Sequence, residues 1–235
     1  MAEKKIFAAV PQQFVDYFLE DTTNTEDSDK PHYDEKALTL FLLLRFHVNC
    51  SFDFYTNESM LCELLGISSR SENRKSIMTN IQQMQDDGVL SVHRFPGKKF
   101  FRISLDYETC MKAESFVKIY KEEFDQIFAE KTRDKLFLLL YCIKKFQYGK
   151  SGISFPSIET LMDASRISKP TILKGLEKLN GVLYICKARI NFNDGTCKDV
   201  NYYQARAVGG GVSLQVVERI VRKHYTNVKS ITERR

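Results

Sequence analysis

The sequence predicts a mainly α chain carrying small β-hairpins, an α+β class, on the strength of three observations. Apolar residues recur at helical spacing in two regions, each region ends where the period changes to alternation, and the two regions repeat one another in order. Phe41-Leu42-Leu43-Leu44 returns as Phe137-Leu138-Leu139-Leu140, Leu61 with Ile67-Ser68 returns as Leu161 with Ile167-Ser168, and Gly88-Val89-Leu90 returns as Gly181-Val182-Leu183. The offsets of 96, 100 and 93 residues drift by small insertions while the order is kept. Two copies of one unit account for that pattern.

Each copy opens with a helix that is apolar on most sides, Leu38 to Val48 and Leu136 to Phe146, as a helix surrounded by its own domain should be. A second helix carries Met60, Leu61, Leu64 and Leu65 in one copy and Ile158, Leu161 and Met162 in the other. Thr56 is placed to cap the first of these, and Pro156 suits the first turn of the second. After a short turn, a third helix shows Ile77, Ile81 and Met84, or Ile172, Leu176 and Leu179, at spacings of four and three. Alternation follows. Leu90 and Val92, then Phe101, Ile103 and Leu105, flank Phe95-Pro96-Gly97-Lys98 as a hairpin, and Tyr184–Ile190 returns through Asn193-Asp194-Gly195 to Val200–Tyr203.

Three helices followed by a hairpin make a winged helix-turn-helix, so the expectation is two such domains in tandem joined by a helical connector. The boundaries read as a lead-in and acidic loop (1–35), a first winged helix (36–105), the connector (106–132), a second winged helix (133–207), and a Gly hinge with a basic C-terminal helix (208–235). The connector places Val117, Tyr120, Phe124 and Phe128 on one helical stripe. Gly209-Gly210-Gly211 breaks the chain before a last amphipathic helix, with Leu214, Val217 and Val221 inside and Arg219, Arg222 and Lys223 outside. That helix is a candidate surface for a homodimer.

Composition excludes several classes. The 235 residues are 43% hydrophobic, 28% charged and 12% aromatic, too apolar and aromatic for a disordered chain. The longest apolar runs fall far short of the roughly 20 residues that span a bilayer. No secretion signal pattern is evident at the N-terminus, and Cys50, Cys62, Cys110, Cys142, Cys186 and Cys197 are spread singly, so they read as reduced thiols of a cytoplasmic protein. The formal charge of +5 is unevenly placed. Glu20, Asp21, Glu26, Asp27, Asp29, Asp34 and Glu35 crowd residues 20–35, while residues 219–235 hold Arg219, Arg222, Lys223, Lys229, Arg234 and Arg235 against Glu233. Such asymmetry fits a polyanionic partner, and equally a solvated basic tail.

In a helix-turn-helix the start of the third helix enters the major groove, where polar side chains reach base edges and cations reach phosphates. The candidates in the first copy are Ser68, Arg70, Ser71, Asn73, Arg74 and Lys75; in the second they are Ser168, Lys169, Thr171 and Lys174, with Pro170 in the first turn. The hairpins add Arg94, Lys98, Lys99 and Arg102, then Lys187, Arg189 and Lys198, as cations for the backbone. The plainer alternatives are solvated helix starts and lysines that protect exposed strand edges. No enzyme is expected. Tyr148-Gly149-Lys150-Ser151 lacks the earlier glycine of a phosphate loop, His32, His47, His93 and His224 are scattered, and no catalytic constellation, metal set or cofactor signature stands out. His47 and Cys50 share a helix face, where a buried His and Cys is the expected reading rather than a metal site.

Phe155-Pro156-Ser157-Ile158-Glu159-Thr160-Leu161, continuing through Ile167–Thr171 to Leu176–Leu179, resembles the winged-helix consensus of plasmid and phage replication initiators of Gram-positive bacteria. This group includes RepA N-terminal domains and DnaD-like primosome proteins. The lead-in Phe7–Phe14 is similar to the way such domains begin. The resemblance implies a non-enzymatic, sequence-specific protein that binds double-stranded DNA at origin repeats and recruits host replication proteins. Ser71-Glu72-Asn73-Arg74-Lys75 departs from the shorter form of the second copy, so the two copies need not read the same target. A transcriptional or partition regulator uses the same helices, and a non-DNA protein-interaction scaffold of a primosome-like complex is a further alternative.

Overall fold

The computed structural model describes residues 6–11, 36–47, 53–105, 116–148 and 152–234. The acidic stretch 20–35, Gln12 to Phe14 of the lead-in, Cys50, Cys110 and the Gly149–Ser151 segment lie outside them. The chain is mixed α+β and divides into two compact units: residues 1–124 with 132–137, and residues 125–131 with 138–235.

In the first unit, strand β1 (Phe7–Pro11) is followed by helix α1 (Ala37–His47), strand β2 (Asp53–Thr56), and helices α2 (Glu58–Leu64) and α3 (Ser71–Asp86). Strands β3 (Leu90–Arg94), β4 (Phe101–Leu105) and β5 (Phe116–Tyr120) come next. Every residue from Ala37 to Leu44 is buried, because α1 carries almost no polar side chain until Arg45. Its single polar member in that run, Thr39, donates its hydroxyl to Asp134 Oδ1 at 2.5 Å. Helix α3 covers the core with Ile77, Ile81 and Met84 and ends at Gly88, whose φ of +70° suits the residue after a helix C-cap. The three-stranded sheet runs β2-β4-β3, with Ile103 opposite both Phe54 and Val92.

Asn57 rather than Thr56 caps α2: its side chain accepts from the Met60 N–H at 3.0 Å, while Thr56 is a buried strand residue opposite Phe101. The connector also departs from a continuous helix. Val117 and Tyr120 lie on β5, which pairs antiparallel with β1 from Phe7↔Tyr120 to Pro11↔Phe116; only from Lys121 does the chain become helical, as α4 (Lys121–Phe128). The reason is local alternation: Val117 and Ile119 are buried and Lys118 between them is exposed, a period of two. Residues 106–115 lie outside the described set.

In the second unit, helix α5 (Arg133–Lys145, of which 138 onward belongs here) leads to strands β6 (Gln147–Tyr148) and β7 (Ile153–Ser154). Helices α6 (Ile158–Ser165) and α7 (Lys169–Lys178) follow, and a single 3-10 turn leads into strands β8 (Leu183–Phe192) and β9 (Cys197–Ala205). Helix α8 (Leu214–His224) and strand β10 (Val228–Glu233) complete it. Ser157 is the N-cap of α6, accepting from the Thr160 N–H at 3.0 Å, and Pro156 stands one residue outside the helix. The Asn193–Thr196 turn closes as expected, with Asp194 Oδ1 accepting from the Thr196 N–H at 2.9 Å and Gly195 at φ +85°.

The sheet order is β10-β8-β9-β7-β6. Strand β10 was not foreseen in the tail; it adds to the free edge of β8, with Ile231 opposite Ile190. Val217, Ile220 and Val221 of α8 pack on Ala188, Ile190 and Tyr202, so the apolar face of this helix is already covered within its own unit. Leu214 is only half-buried. Both units thus place helix, strand, two helices and hairpin in the same order. In both, the strand that precedes the second helix pairs with the second hairpin strand, as Tyr55↔Arg102 and Ile153↔Gln204.

Gly88→Ala should lower the stability of the first unit by about 1–2 kcal/mol, because an L side chain at positive φ is strained even where space is open. Gly210→Ala, with open space and no positive φ, should change stability by less than about 0.5 kcal/mol. Denaturant unfolding of the full chain with each substitution checks the difference.

Candidate nucleic-acid interface

The turn between α2 and α3 is held by side chains that sequence reasoning assigned to a ligand. Asn73 donates its amide to the Ser68 carbonyl at 2.9 Å and reaches the Ser68 hydroxyl at 3.2 Å, while the Ser69 hydroxyl donates to Ser59 on α2 at 3.1 Å. Arg70 occupies the N-cap position with extended backbone and makes no side-chain cap, so its guanidinium stays in solvent at the helix start. Arg70, Ser71 and Lys75 are exposed and Arg74 is half-buried. The Cys62 thiol beneath this turn is pushed up by burial, which keeps it protonated and unreactive.

Helix α7 starts similarly but with different means. Arg166 ends α6 in the left-handed region at φ 54°, and Ser168 at the N-cap shares a hydrogen bond of 3.0 Å with the Thr171 hydroxyl. Ile172 and Leu176 turn inward, leaving Lys169 and Lys174 exposed and Thr171 half-buried. A cleft of about 860 Å³ in this unit brings Lys169 together with Lys198 of β9, between the start of α6 and α8. Glu159 at its edge is held below the usual carboxylate range by its own backbone N–H and the Ser157 hydroxyl, with Lys169 adding to the effect.

The hairpin cations divide into two kinds. In the first unit Lys98 and Lys99 are exposed at the tip, Arg94 lies with its guanidinium 5.4 Å from the Phe101 ring centre, and Arg102 is half-buried on the outer face. In the second unit Lys187 is likewise exposed, whereas Arg189 and Lys198 are engaged by neighbouring side chains. Arg189 forms a bidentate pair with Asp199, Nε to Oδ1 at 2.8 Å and a terminal nitrogen to Oδ2 at 3.0 Å, and Arg234 bonds the same carboxylate. Lys198 donates to the Tyr225 hydroxyl at 3.2 Å and sits 5.6 Å from its ring centre. Asp199 and Tyr225 are therefore parts of this surface that cation patterning alone does not reveal, and Arg234, a cation of the tail, is drawn into it. The signal for Asp199 lies in the turn: once Asn191 faces Cys197, Arg189 must face Asp199.

Among the described residues, no three His, Cys, Asp or Glu side chains are grouped to hold a metal ion, and no helix is long and apolar enough to cross a membrane. Cys62, Cys142 and Cys186 are buried and Cys197 is exposed. His47, expected to be buried, is exposed at the end of α1. No protein-family model matches the chain, and no curated protein matches it in sequence.

The Arg189 hydrogen bond holds the Asp199 carboxyl below the ordinary carboxylate range. A depressed carboxyl contributes stability that is present above its unfolded value and is lost as pH falls through its folded value. A carboxyl NMR titration should place Asp199 below the unperturbed value of about 3.9, and Arg189→Gln should move it back up. A titration unaffected by that substitution would show the pair to be unimportant in solution.

Proposed function

We propose that the chain is a sequence-specific duplex DNA-binding protein, built as two winged helix-turn-helix units, that acts as a plasmid or phage replication initiator on origin repeats. One observation carries the DNA-binding reading. In both units the helix after the short turn buries one apolar stripe and presents an exposed cationic start, Arg70 and Lys75 or Lys169 and Lys174, with a lysine-bearing hairpin following it. Cations at a helix start combine with the orphan N–H groups there to favour phosphate, and neighbouring hydroxyls reach base edges. The initiator role rests on the resemblance of residues 155–179 to initiator winged helices. The replication role implies host replication proteins as partners; a regulator of transcription or partition would share the binding chemistry and differ in where its sites lie.

Within this reading, Lys169 and Lys174 contact the duplex directly, whereas Arg189 serves mainly to hold Asp199. Lys169→Ala with Lys174→Ala should weaken duplex binding and lower the slope of log K against log salt by about one to two, at ~0.9 per phosphate contact. Arg189→Ala should change that slope by less than about half a unit on the same scale. Fluorescence anisotropy against random duplex and duplex from the protein's own genetic neighbourhood, each titrated with salt, checks both. Preference for a repeated neighbouring sequence supports the initiator or regulator reading; no duplex binding at low salt overturns both.

A further inference from the structure

The outward face of the three-stranded sheet in the first unit is not an ordinary polar surface. Tyr55 on β2, Arg102 on β4 and His93 on β3 stand in one row across it, since each is the direct partner of the next. Beyond this row, at the hairpin end, Phe95 joins Tyr55 in a nearly parallel stack with ring centres 6.2 Å apart and interplanar angle 19°. His93 meets Phe95 edge-on at 4.7 Å, and Phe100 lies 5.6 Å from Phe95 on the other limb of the turn. Tyr55 is 55% exposed and Phe100 43% exposed, so both retain ring surface open to solvent.

Two features argue for what this surface receives. Apolar side chains of this size normally turn inward, and here the inward positions are already filled by Phe101, Ile103 and Leu105, so the outer aromatics are additional to the core. Within the hairpin the charge is of one sign: from Gly88 to Leu105 the chain carries Arg94, Lys98, Lys99 and Arg102 and no Asp or Glu. Apolar rings interleaved with cations, on a sheet face, suit a polyanion whose own rings are unpaired and can stack. A duplex offers phosphates but keeps its base faces covered; an acidic peptide offers charge without flat rings to match Tyr55 and Phe100.

We infer that the β2-β4-β3 face of the first unit is a binding platform for single-stranded nucleic acid, with bases stacking on Tyr55 and Phe100 and phosphates meeting Lys98 and Lys99 at the hairpin tip. Base stacking on aromatic side chains tolerates any sequence, because every base has a π face. This site goes beyond duplex recognition by α3 and α7 and does not depend on it.

The chain contains no Trp, so Phe100→Trp creates a single reporter at the platform. Titrating the full-length Phe100→Trp protein with a 12-nucleotide oligo(dT) should quench its emission saturably, and inorganic polyphosphate at equal charge should not. In the chain otherwise unchanged, Tyr55→Ala and Phe100→Ala should each raise the Kd for oligo(dT) at least about fivefold, Tyr55→Phe should leave it within about twofold, and duplex affinity should stay unchanged. Circular dichroism checks that the exposed-site variants fold. Quenching by polyphosphate as strong as by oligo(dT), or oligo(dT) affinity indifferent to both alanine variants, overturns the platform and leaves the face to a protein partner. An equal loss for duplex and single strand also overturns it. Failure of duplex binding with oligo(dT) binding intact would sink the proposed function alone.

Discussion

Ala37 through Leu44 bury every side chain, and in the second unit Leu138 through Lys144 do the same, so each unit is built round a helix that has no face to give to water. Burial of that kind is stabilising only if other elements enclose the helix on all sides. In the first unit α3 contributes Ile77, Ile81 and Met84, and the inner sheet face contributes Phe101, Ile103 and Leu105. In the second, α7 contributes Ile172 and Leu176, and the sheet contributes Leu183 and Tyr203. Fixing these stripes inward fixes the rest of each helix outward. Arg70 and Lys75, or Lys169 and Lys174, reach solvent as a consequence of core packing, before any ligand is considered.

The turns then decide how much polar chemistry remains available at each helix start. Asn73 returns its amide to the Ser68 carbonyl, and Ser69 is tied to Ser59, so the first unit uses three of its polar side chains to shape its own loop. Both turns pass through a left-handed residue, Gly66 at φ 61° in the first unit and Arg166 at φ 54° in the second, where Pro170 then sits in the first turn of α7. There the Ser165 hydroxyl donates to the Leu161 carbonyl at 2.6 Å and accepts from the Ile167 N–H at 3.3 Å, and Ser168 and Thr171 bond one another. Equivalent positions in the two turns therefore carry different chemistry: Gly66 adopts the left-handed conformation freely, whereas Arg166 adopts it with a side chain attached.

Helical periods are legible wherever the apolar stripe is long, which is why the helices and hairpins of both copies stand close to their expected places. The strand β5 was hidden by coincidence: Val117, Tyr120, Phe124 and Phe128 also satisfy spacings of three and four, and no Gly or Pro separates β5 from α4. Ile119, buried and off that stripe, is the residue that betrays the strand. Strand β10 is legible in neither period, since Lys229, Ser230 and Thr232 leave it largely polar; it adds to the side of β8 that β9 leaves unpaired. Thr56 and Asn57 are both good caps by type, and only the pairing of Thr56 with Phe101 decides between them. Lone cations were legible as residues but not as free charges, because ion pairing depends on register and register depends on the turn.

The two hairpins show how far that dependence reaches. Both carry cations at the positions a backbone-binding wing needs, yet β9 places Asp199 directly opposite Arg189, and β10 then brings Arg234 to the same carboxylate. Three charged groups from three successive segments of the sheet are thereby tied together, and Lys198 is drawn to Tyr225. The first hairpin has no acid of its own between Gly88 and Leu105, and there Lys98 and Lys99 are exposed and Arg94 lies against the Phe101 ring. Attraction to a polyanion depends on charge that is not already neutralised nearby, and it weakens within about 10 Å at ordinary salt. A shared topology thus leaves the first hairpin strongly basic and the second internally compensated, and the difference follows from where a single aspartate falls in the register.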